Sequence, residues 1–138
     1  MNFKHIHIGN LIKKRVEENL IDIDRICNFF KTNEKNIQEM YEKQSIDSET
    51  LLRWSKLLEY DFFRIYSQHL ILFSPQGKNI PSNTKPKLPQ FRKNIYMKEV
   101  IDFVIERIET EGISKKQIME EYKIPKSTLH KWLSKYQP

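Results

Sequence analysis

Apolar residues recur at three- and four-residue intervals along most of the chain, and a capping residue precedes many of these stripes. Ile8, Leu11, Ile12, Val16 and Leu20 form the first stripe, with Lys13, Lys14, Glu17 and Glu18 turned outward. Asp22 is placed to cap a second helix that buries Ile23, Ile26, Cys27 and Phe30. Thr32-Asn33 makes a turn and cap, and a third helix follows with Ile37, Met40 and Tyr41 inward. Asp47 caps a fourth helix, with Thr50 at its N3 position and Leu51, Trp54 and Leu58 on one face. Asp61 caps a fifth, FFRIYSQHLILF. Short connections between short helices predict one helical domain over residues 1–74.

Ser74-Pro75 stops the fifth helix. Residues 75–94 hold every proline except Pro125 and Pro138, and read as a basic, Pro-rich, extended linker. A long helix then starts at Asn94 or Tyr96, with Met97, Val100, Ile101, Val104, Ile105 and Ile108 inward and Gly112 as its C′ residue. Ser114 and Gln117 have capping-box spacing for a next helix that hides Ile118, Met119 and Tyr122. Lys123-Ile124-Pro125 breaks that helix, and Pro125 suits the first turn of the last one. There Leu129, Trp132, Leu133 and Tyr136 recur as a single buried stripe. Residues 95–138 therefore form a three-helix domain.

Composition agrees with an all-α protein made of two small helical domains joined by a linker. The 138 residues include only three glycines, too few for a sheet built on Gly-rich turns, and 30% charged residues. No apolar run approaches the roughly 20 residues that span a bilayer, so no membrane partner is expected. The start MNFKHIHIGN has no long apolar segment of the secretory kind. Cys27 is the sole cysteine, which excludes an internal disulfide and suits a reducing cytoplasm. The net charge of +6 is unevenly spread: residues 1–74 are neutral overall, and residues 75–138 carry all of it. A basic second half is the footprint of a polyanion partner, although a merely solvated basic surface would have the same charge.

The last helix turns Lys126, Ser127, His130, Lys131, Ser134 and Lys135 away from its apolar stripe, with Thr128 beside them and no acid among them. Cations and small hydrogen-bonding groups suit a helix lying in a DNA groove. The run Ile124-Pro125-Lys126-Ser127-Thr128-Leu129, followed by Trp132, resembles the helix-turn-helix of pipsqueak-type and transposase-type DNA-binding domains. The resemblance implies base reading by the last helix and phosphate contacts by Lys115 and Lys116 at the start of the helix before it. Arg92 and Lys93 in the linker would add contacts that do not depend on sequence.

From Ile8 to Ile65 the order of caps and apolar positions resembles the phage-repressor-type (lambda-repressor-like) helix-turn-helix domain. Ile26 falls at its helix-two core position, Cys27 at its small-residue crossing, Asn33 at the cap before its recognition helix, and Ile37, Leu51 and Leu58 at further core positions. Lys31, Lys43 and Glu59 stand where that family usually has Gly, so those turns need φ > 0 or a different build. Lys35, Asn36 and Gln38 are the candidate DNA contacts of this module. Glu34, Glu39 and Glu42 on the same face would repel phosphates. The run His69-Leu70-Ile71-Leu72-Phe73 cannot all face one core, and a homodimer through Leu70, Ile71 and Phe73 is one use for the surplus.

No catalytic constellation is visible. His5 and His7 have no further ligand at metal spacing, no Gly-rich phosphate loop occurs, and the acids sit on outward helix faces. The chain has no room for the large mixed fold that carries transposase catalysis. No enzyme, cofactor or metal is therefore expected. The leading reading is a bacterial, cytoplasmic, nucleoid-associated protein of transposase-like or regulatory type that binds double-stranded DNA by sequence. The rival is a protein-interaction or dimerisation module, antitoxin-like or an accessory subunit, with weak DNA binding. RNA binding ranks lower because no aromatic stacking platform is seen.

Overall fold

The computed structural model describes residues 2–74, 85, 87–89 and 96–136. Among them are eight α-helices and no strand: α1 Ile8–Asn19, α2 Ile23–Phe30, α3 Glu34–Glu42, α4 Ser48–Leu58, α5 Phe63–Phe73, α6 Lys98–Glu111, α7 Lys115–Tyr122 and α8 Lys126–Tyr136. The described residues are all-α, as the spacing of apolar positions predicts. It separates into two compact units, Asn2–Tyr66 and Ser67–Pro138, and the division falls inside α5. Of the expected linker, most residues, Arg92 and Lys93 among them, lie outside the described ones.

In the first unit α1 packs against α3 and α4, and α2 against α3. The core gathers Ile8, Ile12, Ile26, Ile37, Leu51, Trp54, Leu58, Phe62 and Ile65, all nearly inaccessible. Met40, Cys27 and Phe30, expected inside, are only half-buried at its edge. The caps are where local chemistry puts them. Asp22, Asn33 and Asp47 accept from the backbone N–H of Asp24, Asn36 and Thr50, respectively, which satisfies donors that a helix start leaves without partners. Two hydrogen bonds from Thr50, backbone and hydroxyl, hold the Asp47 carboxyl below the usual carboxylate range.

The turn positions that lack glycine are solved in two ways. Lys31 and Glu59 adopt the left-handed conformation, with φ of 54° and 49°, as do Leu20 and Lys123. For an L-residue this costs roughly 1–2 kcal/mol, and the backbone N–H of each of Lys31 and Glu59 is turned back onto its own helix. Lys43 instead leaves α3 extended, at φ −77°. Its carbonyl and that of Gln44 then accept from the N–H of Gly9 and Ile8, each at 3.0 Å. Those two donors begin α1 and have no acceptor within it. The close approach requires Gly9, because a Cβ there would lie 2.3 Å from the Tyr41 carbonyl oxygen.

The second unit is built on α6, α7 and α8, with α8 packed against both others. Val100, Ile101, Val104 and Ile105 of α6 are buried, with Ile118 and Tyr122 of α7 and Leu129, Trp132 and Leu133 of α8. The first of these helices begins at Lys98, later than Asn94 or Tyr96, because Met97 takes the N-cap without a side-chain acceptor. The Met97 N–H donates to the buried Gln68 side chain of α5 at 3.0 Å instead. Gly112 ends the helix at φ 64°, as expected of a C′ glycine.

Candidate nucleic-acid interface

Two stripes run along α8, offset by two residues. Leu129, Trp132 and Leu133 are buried. Ser127, His130, Lys131 and Ser134, at i, i+3, i+4 and i+7, are all exposed. An offset of two residues turns about 200° around a helix, so the stripes occupy opposite sides. Lys126 and Lys135 flank the outer stripe and are exposed, and Thr128 is half-buried. Tyr136 departs from expectation. It is 37% exposed, since the last turn of α8 outruns the core, and Lys135 Nζ stands 5.3 Å from its ring centroid.

What holds α8 in place comes from the segment that leads into α6 and from the turn that follows α7. The Tyr96 ring meets Trp132 edge-on, with centroids 4.9 Å apart. Ahead of α8, Lys123 takes its left-handed turn and Ile124 is buried at 2% exposure. The Leu129 N–H then donates to the Pro125 carbonyl at 3.0 Å, which opens the helix. The start of α7 is a complete capping box: Ser114 Oγ accepts from the Gln117 N–H and Gln117 Oε1 accepts from the Ser114 N–H, both at 3.2 Å. Lys115 and Lys116 emerge from this start and are exposed.

Arg107 of α6 ties the frame together. It donates to Glu111 at 3.2 Å, to Glu121 of α7 at 3.0 Å, and to the Tyr122 hydroxyl, whose ring it also faces. Burial opposes its charge, but the hydrogen bonds to Glu121, Tyr122 and Glu111 outweigh that and hold the guanidinium pKa above its ordinary value. Burial likewise pushes the Tyr122 hydroxyl up, against the pull of Arg107. In consequence two of this unit's carboxylates, Glu111 and Glu121, are compensated by one arginine between α6 and α7. The sequence names Tyr96 only as a helix start and Ile124 only as part of a turn and motif, so their packing, and the whole role of Arg107, went unread. The i,i+4 spacing of Arg107 and Glu111 was the one local signal available.

Lys35, Asn36 and Gln38 are exposed on α3, in the other unit, together with Glu34, Glu39 and Glu42. Asn36 is partly committed: its amide donates to Thr32 Oγ1 at 2.6 Å and its N–H to the capping Asn33 at 3.0 Å. Among the described residues no group of three or more His, Cys, Asp or Glu could hold a metal ion, and no helix is long and apolar enough to cross a membrane.

A family model described as the CENP-B N-terminal DNA-binding domain matches residues 97–137. The match covers α6, α7 and α8, under a third of the chain, and supports a helix-turn-helix of DNA-binding type in these three helices. No curated protein and no solved structure matches the chain.

Proposed function

We propose that the protein binds double-stranded DNA in a sequence-specific way, with α8 in the major groove. The observation that carries this reading is the outer stripe of α8, whose charged groups are all cations, on a unit similar to a DNA-binding family. A major groove about 12 Å wide admits one helix. Lys126, Ser127 and His130, at the start and middle of α8, reach base edges, as the first residues of a recognition helix do. Thr128, Lys131, Ser134 and Lys135 support them along the groove walls. Lys115 and Lys116 clamp phosphate at the start of α7, and the linker cations Arg92 and Lys93 add to that grip. Residues 95–138 act as the reading domain and residues 75–94 as its basic arm, in a transposase-like or regulatory protein. Its place is the bacterial cytoplasm, on the nucleoid.

A second reading rests on one observation. Leu70 of α5 is 60% exposed, between half-buried His69 and Ile71. A homodimer through Leu70, Ile71 and Phe73 would cover it, in a protein-interaction or dimerisation module whose DNA binding is weak.

Binding of selected and scrambled duplexes across a salt series tests the proposal. Lys126→Ala or His130→Ala is expected to cost about 1–3 kcal/mol on the selected site and far less on the scrambled one. Lys116→Ala is expected to weaken both alike and to make the salt slope shallower by about one unit. If the first two changes leave the ratio of affinities untouched, α8 is not the reader and the basic linker becomes the better candidate.

A further inference from the structure

The polar side chains of α8 are unusually one-sided. From Lys126 to Tyr136 there is no Asp, Glu, Asn or Gln. Apart from the indole of buried Trp132, the groups that remain are Lys ammoniums, an imidazole, and Ser, Thr and Tyr hydroxyls. The bases differ sharply in what they offer such a set. In the major groove guanine presents two acceptors, N7 and O6, and no donor. Adenine presents an acceptor beside a donor, which a carboxamide matches with two bonds, and cytosine presents a donor that a carboxylate accepts. A helix with neither carboxamide nor carboxylate lacks the usual partners of adenine and cytosine. The ammonium of Lys126 and the imidazole of His130 suit guanine, and both residues are exposed.

The geometry limits how many bases are read. Ser127 to Ser134 spans seven residue steps, on the order of 10 Å of helix, which matches about three base-pair steps at 3.4 Å each. Lys126 and His130 stand one helical turn apart, so they meet neighbouring bases rather than distant ones.

We propose that α8 reads a short guanine-centred subsite through N7 and O6, with Lys126 and His130 as the specificity-determining residues. This rests on the reading of α8 as a major-groove helix and goes further by naming the base. Lys131 and Lys135, further along the helix, meet the backbone and contribute no base preference. The Ser127 and Ser134 hydroxyls, which bond to any base edge, tolerate substitution.

The full chain is first used to select bound duplexes from a random library. The selected core is expected to hold at least one guanine within three adjacent positions. Each such guanine is then replaced in turn by 7-deazaguanine, which lacks N7, and by hypoxanthine, which keeps N7 and O6 but loses the minor-groove amino group. The first replacement is expected to weaken binding roughly 5- to 150-fold at the read position, and the second to leave it unchanged. In Lys126→Ala or His130→Ala protein, 7-deazaguanine at the position read by that residue is expected to cost nothing further. A selected core without guanine, or equal binding of the 7-deazaguanine and parent duplexes, overturns the guanine reading and leaves DNA binding standing. Sensitivity to hypoxanthine but not to 7-deazaguanine also overturns it and moves the contact to the minor groove. No binding to any duplex overturns both.

Discussion

Helices α3 and α8 are made alike and differ where it matters. Each follows a short helix, each opens after a short turn, and each buries apolar side chains at helical spacing: Ile37 and Tyr41 in α3, Leu129, Trp132 and Leu133 in α8. Outward, α3 shows Glu34, Glu39 and Glu42 with a single Lys35, whereas α8 shows Lys126, Lys131 and Lys135 with His130 and no acid. Two unit charges at 4 Å are worth only about 1 kcal/mol in water, yet several of one sign on one face set whether a phosphate backbone is attracted or repelled. Core and caps decide that each helix forms and how it is seated in its unit. The outward positions decide what it touches, and they are under no constraint from folding.

The largest test of this division removes a core anchor from each unit in turn. Trp132→Ala deletes a buried aromatic from a three-helix unit and is expected to cost about 3–5 kcal/mol, close to all the stability so small a unit has. Trp54→Ala costs a similar amount in the first unit, where the side chain is fully buried. Duplex binding is expected to be lost in the first variant and kept in the second, with circular dichroism reporting which helices have melted. Loss of binding in Trp54→Ala alone would reverse the roles assigned to the two units.

A smaller effect separates two kinds of glycine. In Gly9→Ala the new Cβ meets the Tyr41 and Met40 carbonyls at 2.3 and 2.6 Å, both of them backbone that cannot swing aside. The expected cost is about 1–3 kcal/mol, read as a lower urea midpoint at constant slope. Gly112→Ala meets nothing within 4 Å but forces an L-residue to φ 64°, for roughly 1 kcal/mol. A Gly9→Ala protein as stable as the parent would mean that α1 does not rest on the end of α3.

High pH gives a further handle on the first unit. Burial, with smaller contributions from Cys27 and Glu17, pushes the Tyr41 hydroxyl up to about 12. Because the folded value lies above the unfolded value near 10, the neutral phenol's contribution is complete below pH 10 and is lost as pH rises toward 12. Alkaline unfolding of the first unit is expected over that window, and Tyr41→Phe is expected to flatten it. An unchanged alkaline profile in Tyr41→Phe would show that another group governs it.

Much of this was legible in the sequence wherever a feature is local. Asp22, Asn33, Asp47 and Ser114 cap helices because the side chain and the N–H that it meets lie two or three residues apart. His7 also caps, through Nδ1 at 3.1 Å from the Asn10 N–H, but His is not among the common caps and gave no signal. The left-handed Leu20 and Lys123 were equally silent, since neither residue type favours φ > 0. Tyr96, Arg107 and Ile124 act through residues far along the chain, or in a turn whose burial depends on three helices, and no periodicity reports that. The outward stripe of α8 was legible for a simpler reason: it is what remains once the buried stripe is assigned.

The finest test asks whether charge alone keeps α3 off DNA. Glu34→Gln, Glu39→Gln and Glu42→Gln together remove the repulsion and leave Lys35, Asn36 and Gln38 exposed on that helix. If the face were otherwise ready, Lys35 would dock on a phosphate and the salt slope would steepen by about one unit. Two observations argue that it is not ready. Asn36 already gives its amide to Thr32 at 2.6 Å and its N–H to Asn33 at 3.0 Å, so its side chain would have to break a local bond to read a base. A single lysine also releases about one counterion, too little to compete with the three lysines and a histidine of α8. The triple variant is therefore expected to keep the parent's salt slope and site preference, measured by titration of the selected duplex from low to high salt. A slope steeper by one unit, abolished again by adding Lys35→Ala, would show that α3 binds DNA once its acids are gone. The contrast between the two helices would then be one of charge only, with no difference in their fitness to read a groove.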